Sequence, residues 1–317
     1  MDKILIIGAN GQLGVELTLA LRQAYGRNNV IATDIREEHP LLKENNGPFY
    51  HLDVMDTKAV ASLVQKESIT QIYLLAAILS ATGETKPLWA WDINMQSLLS
   101  LLEICRENKV RKFYWPSSIA VFGPSTPQEN TQQHTIIEPN TVYGISKYTG
   151  ELWCKYYFNR YGVDIRSLRY PGLVSWKSAP GGGTTDYAID IYIEALKRKH
   201  FTCFLSENTY LPMMYMDDAI RATMELMEAP AEKIKNRMAY NLSAMSFSPK
   251  EVAESIRKHI PEFTIDYAPD YRQQIAEGWP QSIDDREARA DWNWAHQFDL
   301  EKMTVAMLNN LRETLQL

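Results

Sequence analysis

The sequence predicts an α/β protein built on a doubly wound parallel sheet, with a smaller mixed α/β region in its C-terminal half. Three observations lead there. Short apolar runs alternate with stretches of helical period as far as Tyr170. The first run, Ile4 to Ile7, is apolar at every position, as a strand covered on both faces must be. After Tyr170 the alternation breaks down, and Pro171, Pro180 and the run Gly181-Gly182-Gly183 interrupt shorter elements.

The elements follow in order. Ile4–Ile7 ends at Gly8, and Gln12 to Tyr25 then carries Leu13, Leu17, Ala20, Leu21 and Ala24 at near-helical spacing. Val30 to Thr33 reads as a second strand closed by Asp34, and Ile72 to Ala76 and Lys112 to Trp115 read as further strands. The long apolar stretch Leu88 to Asn108 predicts a helix between the last two. A second long helix, near Val142 to Tyr161, precedes the strand Asp164 to Arg169. Ala188 to Lys199 and Asp217 to Met227 predict helices, and Ala239 to Leu242 a strand that returns to the sheet. Trp279 to Trp294 shows no clear period. Residues 1–170 are expected to form a nucleotide-binding core and residues 171–317 mainly a substrate-binding region. With no repeat, charge block or flexible linker between them, the two should pack together, some later segments returning to the core.

Composition narrows the function. The chain has 317 residues, 45% hydrophobic and 23% charged, as soluble globular proteins do. Lys and Arg number 33 against 39 acidic residues, and a net charge of −6 argues against binding nucleic acid or a membrane surface. The longest apolar run, Ile72 to Leu79, is too short to cross a bilayer, and Met1-Asp2-Lys3 leads into a strand without a secretory h-region. Cys105, Cys154 and Cys203 make neither a disulfide framework nor a C-x-x-C pair, and no His or Cys cluster has zinc-ligand spacing. A cytoplasmic enzyme working without metal is the expectation.

Gly8-Ala9-Asn10-Gly11-Gln12-Leu13-Gly14 joins the first strand to the first helix. Glycines let the backbone turn sharply and approach a pyrophosphate, and the helix N-terminus adds amide donors. Asp34 stands twenty residues past Gly14 at the end of the second strand, where a carboxylate accepts both ribose hydroxyls and repels a 2′-phosphate. The pattern points to NAD rather than NADP, with Ile35 and Arg36 alongside; Arg36 alone tempers the preference. Farther on, Tyr143 and Lys147 lie at i and i+4 on one helical face. A Lys147 ammonium and a cationic nicotinamide would both lower a tyrosine pKa of ~10 toward a usable base.

With its G-x-x-G-x-x-G spacing, the chain resembles the short-chain dehydrogenase/reductase superfamily, particularly its extended branch, over essentially its whole length. The resemblance implies a Rossmann core. It places Asp53-Val54 at the adenine edge, Leu75-Ala76-Ala77 where the fourth strand meets the cofactor, and Tyr170 among the cofactor-binding residues. Ser117-Ser118-Ile119-Ala120-Val121-Phe122-Gly123 resembles the serine segment, with Ser118 active, and Tyr143-Gly144-Ile145-Ser146-Lys147 the Y-x-x-x-K motif. It also implies a homodimer, the helices Leu88–Asn108 and Val142–Tyr161 of each subunit forming a four-helix bundle.

Nucleotide-sugar members of that branch usually carry an asparagine after the sixth strand to meet a diphosphate; here the segment is Arg169-Tyr170-Pro171-Gly172. Instead, Pro180–Tyr187, Tyr210–Asp218 and Trp279–Asp285 resemble the short-chain L-threonine 3-dehydrogenase group. The implied reaction is NAD-dependent oxidation of L-threonine at C3, with a nucleotide-sugar 4-epimerase or reductase as the alternative. A non-enzymatic NAD sensor fits poorly with an intact Ser118, Tyr143 and Lys147. Gly181, Thr184, Thr185 and Asp186 could meet a small zwitterion, Gly181–Asp186 acting as a hinge, or Thr184 or Thr185 could simply cap a helix that Asp186 favours electrostatically. Ser80 is either a carboxylate contact or an ordinary loop serine, and Trp279 a pocket wall or core.

Overall fold

A computed structural model describes residues 2–177 and 181–316; Pro180 of the glycine-rich segment lies outside them. In the first half β1 (Ile4–Ile7), α1 (Gln12–Tyr25), β2 (Val30–Asp34), α2 (Pro40–Asn45), β3 (Phe49–His51), α3 (Thr57–Lys66) and β4 (Gln71–Leu74) alternate regularly. α4 (Ser80–Thr85), α5 (Pro87–Glu107), β5 (Lys112–Tyr114), β6 (Ser117–Ser118), α6 (Val142–Tyr161) and β7 (Ile165–Arg166) follow. The parallel strands assemble in the order β3-β2-β1-β4-β5-β7. That order reverses direction between β1 and β4, the place where doubly wound sheets leave a crevice at their carboxyl ends.

β1 shows why its run is wholly apolar. Ile4 and Ile6 pack on one side with Val15, Leu17 and Ala219, while Leu5 and Ile7 pack on the other with Leu98, Leu101 and Phe113. Alternate side chains of a strand leave opposite faces, so a strand between two helix layers has no solvent side.

The second half contains β8 (Leu168–Tyr170), β9 (Gly172–Val174), α7 (Tyr187–Arg198), β10 (His200–Cys203), β11 (Leu211–Tyr215), α8 (Met216–Glu228), β12 (Tyr240–Asn241) and β13 (Met245–Phe247). α9 (Pro249–Arg257), β14 (Thr264–Tyr267), α10 (Tyr271–Glu277), α11 (Arg286–Trp292) and α12 (Leu300–Leu315) complete it. Its strands form small sheets, β10-β14, β13-β11-β9 and β12-β8-β6. A third core around Tyr192, Leu211, Val252, Met303 and Met307 holds them to the helices.

Three expectations change. The run Asp164 to Arg169 is not one strand: Ile165–Arg166 closes the large sheet beside β5, and after Ser167 the chain leaves it to pair with β6 and β12. The segment at 239–242 accordingly joins this small sheet through Tyr240 and Asn241 rather than the large one. β4 stops at Leu74, because the amides of Leu75 and Ala76 both donate to the Ile7 carbonyl and turn the chain. Among the described residues no helix is long and apolar enough to cross a membrane.

Candidate functional site

The glycine loop is shaped by contacts that leave no room for side chains. Gly8 has φ +90°, and a Cβ there would stand 2.4 Å from the Ala76 nitrogen. At Gly14 a Cβ would lie 2.3 Å from the Gly8 carbonyl oxygen. Gly11 is different: the nearest protein atom to such a Cβ is 3.4 Å away, so the fold itself does not demand glycine there. Gln12, the first residue of α1, keeps a buried Nε2 with no partner, and no acidic side chain occupies the helix's first turn. A buried donor left unpaired beside free helix-end amides fits an anionic ligand.

Asp34 is 4% exposed and ends β2 beside this loop. Its Oδ2 accepts from the Asn10 amide at 2.9 Å, and its Oδ1 from Arg36 N at 3.0 Å and Arg36 Nε at 3.1 Å. Asn10 in turn holds the following turn, donating to the Glu37 carbonyl and accepting from His39 N. Arg36 therefore covers the carboxylate expected to take the ribose. Ile35 projects into solvent at 58% exposure next to it. Asp53 and Val54 follow β3, which is paired to β2 up to Asp34, and Asp53 Oδ1 accepts from Met55 N at 2.9 Å. Leu75 and Ala76 abut the glycine loop, and Ala77 follows. Tyr170 differs: its hydroxyl accepts from Tyr114 Oη at 2.6 Å and bonds Thr223 Oγ1, so the ring belongs to the core.

The catalytic candidates meet where α6 starts. Thr141 caps that helix, accepting from Gly144 N at 3.0 Å, and Gly162 ends it at φ +72°. Tyr143 thus sits in the first turn, half-buried, facing the serine segment. Burial pushes its phenol up to about 12, against a smaller downward pull from a hydrogen bond with Ser118. The lowered value expected from Lys147 is reversed in this structure, because desolvation dominates. Lys147 is 3% exposed; its Nζ donates to the Pro116 carbonyl at 2.6 Å and lies 4.4 Å from the Trp115 ring centroid and 5.5 Å from that of Tyr143. Burial lowers it to about 7, while Cys154 and Glu151 nearby pull upward.

On the other side, the glycine-rich loop closes onto α4. A Cβ on Gly181 would lie 3.0 Å from Leu79 Cδ1, and one on Gly182 2.6 Å from Thr82 Oγ1. Ser80 and Thr184, both buried, share a hydroxyl–hydroxyl hydrogen bond of 3.2 Å. Neither Thr184 nor Thr185 caps α7; Asp186 holds the N-cap position without a side-chain capping bond. Its Oδ2 accepts instead from Gly182 N at 2.9 Å and Gly183 N at 2.8 Å, fixing the loop that glycine content alone marked as a hinge. Burial raises the Asp186 carboxyl, partly offset by those amides. Trp279 is core, packed with Phe122 and Tyr187, although its indole Nε1 has no partner.

Sequence reasoning missed Asn94 of α5, which pins the backbone beyond β4 by accepting from Ile78 N at 2.8 Å and donating to Ile78 O at 3.0 Å. It also missed Glu151, whose spacing of four from Lys147 was a visible signal. Among the described residues no three His, Cys, Asp or Glu side chains gather as a metal site.

Known proteins resemble this chain in sequence and fold. Residues 4–243 match the NAD dependent epimerase/dehydratase family. An uncharacterized epimerase/dehydratase of Staphylococcus haemolyticus is 48% identical over 99% of this chain and 98% of its own. Among solved structures, the holo form of a GalE-like L-threonine dehydrogenase from Cupriavidus necator has a TM-score of 0.94 at 55% identity, covering 98% of this chain and 100% of that one. A monomeric L-threonine 3-dehydrogenase from a metagenome has a TM-score of 0.94 at 46% identity, covering 98% and 99%. The nucleotide loop, the serine segment and the Tyr–Lys helix thus stand in one Rossmann-type framework, and the chain belongs to the NAD dependent epimerase/dehydratase family, the extended branch of the short-chain dehydrogenases/reductases.

Proposed function

We propose that this protein is an NAD-dependent L-threonine 3-dehydrogenase that oxidises the C3 hydroxyl to give 2-amino-3-oxobutyrate. The observation that carries the substrate class is at Gly172. A Cβ there would stand 2.4 Å from Met213 Sδ and 2.8 Å from Thr185 Cγ2, so the place where nucleotide-sugar relatives put an asparagine is filled. The similarity to L-threonine dehydrogenases supports the same reading.

Residues 1–170 hold the cofactor and residues 171–317 mainly the substrate. Gly8 to Gly14 and the unpaired Gln12 amide suit the pyrophosphate, Asp34 the adenosine ribose, Asp53 and Val54 the adenine, and Lys147 the nicotinamide ribose. When bound, NAD supplies the hydride acceptor and a positive charge. Ser118 hydrogen-bonds the substrate's C3 oxygen, and Tyr143 takes its proton as the carbonyl forms. Ser80, Thr184, Thr185 and the loop amides from Gly181 receive the amino-acid end, with the loop held by Asp186 and backed by Trp279.

The test is NADH formation with a panel of L-threonine, related amino acids and UDP-sugars. Threonine should react alone or best; turnover of a UDP-sugar without threonine would overturn the reading. Asp34→Ala should weaken NAD and relax discrimination against NADP by removing a charge that repels a 2′-phosphate. Unchanged cofactor preference sinks the ribose assignment. Thr184→Ala should raise KM for threonine and lower kcat, with kcat/KM falling at least several-fold for a lost hydrogen bond of ~1 kcal/mol. Near-normal kinetics would remove Thr184 from the site.

A homodimer through α5 and α6 belongs to the same proposal. Leu152, Trp153 and Tyr156 of α6 are 47%, 37% and 49% exposed, an apolar stripe that a second copy would cover. One relative is described as monomeric, so the solution mass at micromolar concentration is decisive, and a monomer there removes the dimer.

A further inference from the structure

Glu151 follows Lys147 by four residues on α6 and is fully buried. Three donors meet it. Its Oε1 accepts from Ser117 Oγ at 2.5 Å and Arg169 Nε at 2.9 Å, and its Oε2 from Arg169 Nη2 at 2.7 Å. Ser117 and Arg169 are register partners in β6 and β8, each immediately before Ser118 and Tyr170. Arg169 reaches further, donating to the Gln133 carbonyl at 3.2 Å and Asn241 Oδ1 at 3.1 Å, while its guanidinium lies 5.3 Å from the Phe122 ring centroid. Asn241 then donates to the carbonyls of Thr131 and Asp284.

We propose that Glu151 is a positioning residue: one buried carboxylate that locks the helix bearing Tyr143 and Lys147 to the strand bearing Ser118, fixing the spacing of the three. The role rests on the dehydrogenase reading above. Stability alone does not call for this ion pair, since apolar side chains of similar volume often hold such a position as well. A bidentate carboxylate–guanidinium contact adds direction, because both partners are planar and meet in one orientation. The join lies one helical turn from Lys147 and one residue from Ser118. Errors of about 1 Å between reacting groups cost on the order of 10²-fold in rate, so the site needs such a fixed joint.

The charged and titratable groups around Glu151 are Arg169 from β8, Lys147 and Cys154 from α6, and Cys105 of α5 beyond Cys154. Neutralising Glu151 leaves Arg169 uncompensated. That extra positive charge disfavours the protonated forms of the Tyr143–Lys147 pair, so both limbs of its pH profile move to lower pH.

The test compares wild type, Glu151→Gln and the double variant Glu151→Gln/Arg169→Gln, which removes the unbalanced charge if the single variant folds poorly. In the single variant kcat should fall roughly tenfold or more with KM changed less than about threefold, and the profile should move acidward by about half a unit. In the double variant the melting temperature and profile should recover while kcat stays low. A single-variant kcat within about twofold of wild type, or a kcat that recovers together with melting temperature in the double variant, overturns the proposal. NADH titration against pH needs no substrate. If wild type makes no NADH from threonine, the substrate reading falls, and this titration still judges Glu151: an acidward shift in the single variant supports the role, and an unchanged dependence overturns it.

Discussion

Tyr143→Phe is expected to lower kcat by ~10²–10⁴-fold while NAD binding stays nearly unchanged, because proton transfer by a positioned base contributes about that much. The substitution keeps the ring, and with it the packing against the second-half core and the face presented to Lys147. Only the hydroxyl is lost. The pH dependence supplies a second readout. Burial pushes the phenol up to about 12, so at neutral pH it is protonated unless bound cofactor adds positive charge. A base works only when deprotonated, so log kcat/KM should climb with slope near one as pH rises toward the apparent pKa of the complex. Activity lost at low pH should return on raising it, and the slope should vanish with the hydroxyl. A near-normal kcat in the variant, or a flat wild-type profile, would show that Tyr143 is not the base.

Gly144→Ala should damage both stability and turnover. A Cβ at this position would lie 2.0 Å from the Ala120 carbonyl oxygen and 2.9 Å from Pro139 Cβ, and neither atom ends a flexible side chain. The helix start must therefore move away from the serine segment, straining the Thr141 cap. Overpacking of this kind costs typically 1–3 kcal/mol. Since the displaced turn carries Tyr143, kcat should also fall by ~10-fold or more. Gly162→Ala is the control. It has nothing within 4 Å but a φ of +72°, so it should lose stability through backbone strain, about 1 kcal/mol, with kcat intact. Unchanged melting and turnover in Gly144→Ala would contradict the close approach of α6 to residue 120.

Much of this architecture was legible in the sequence, and the legible parts share a cause. The β1–loop–α1 unit, the Asp34 strand end and the Tyr143–Lys147 face all arise from neighbours within a few residues or a few turns. Apolar runs, glycine at a tight turn and i, i+4 spacing report local geometry directly. The long helix near Val142 to Tyr161 was equally visible, and the structure gives it those bounds.

What the tertiary structure alone decided lies between segments far apart in the chain. Ser80 meets Thr184 across 104 residues. Asp164 to Arg169 reads as one strand, yet pairing splits it between two sheets. Gly172 looked like a missing asparagine, whereas Met213 and Thr185 fill the space. The direction of the Tyr143 shift also depended on packing, because the hydrogen bond with Ser118 pulls one way and the removal of water pulls more strongly the other. Chain periodicity encodes which face of an element is apolar. Which side chains then converge, and how much water they exclude, is set by how the layers stack.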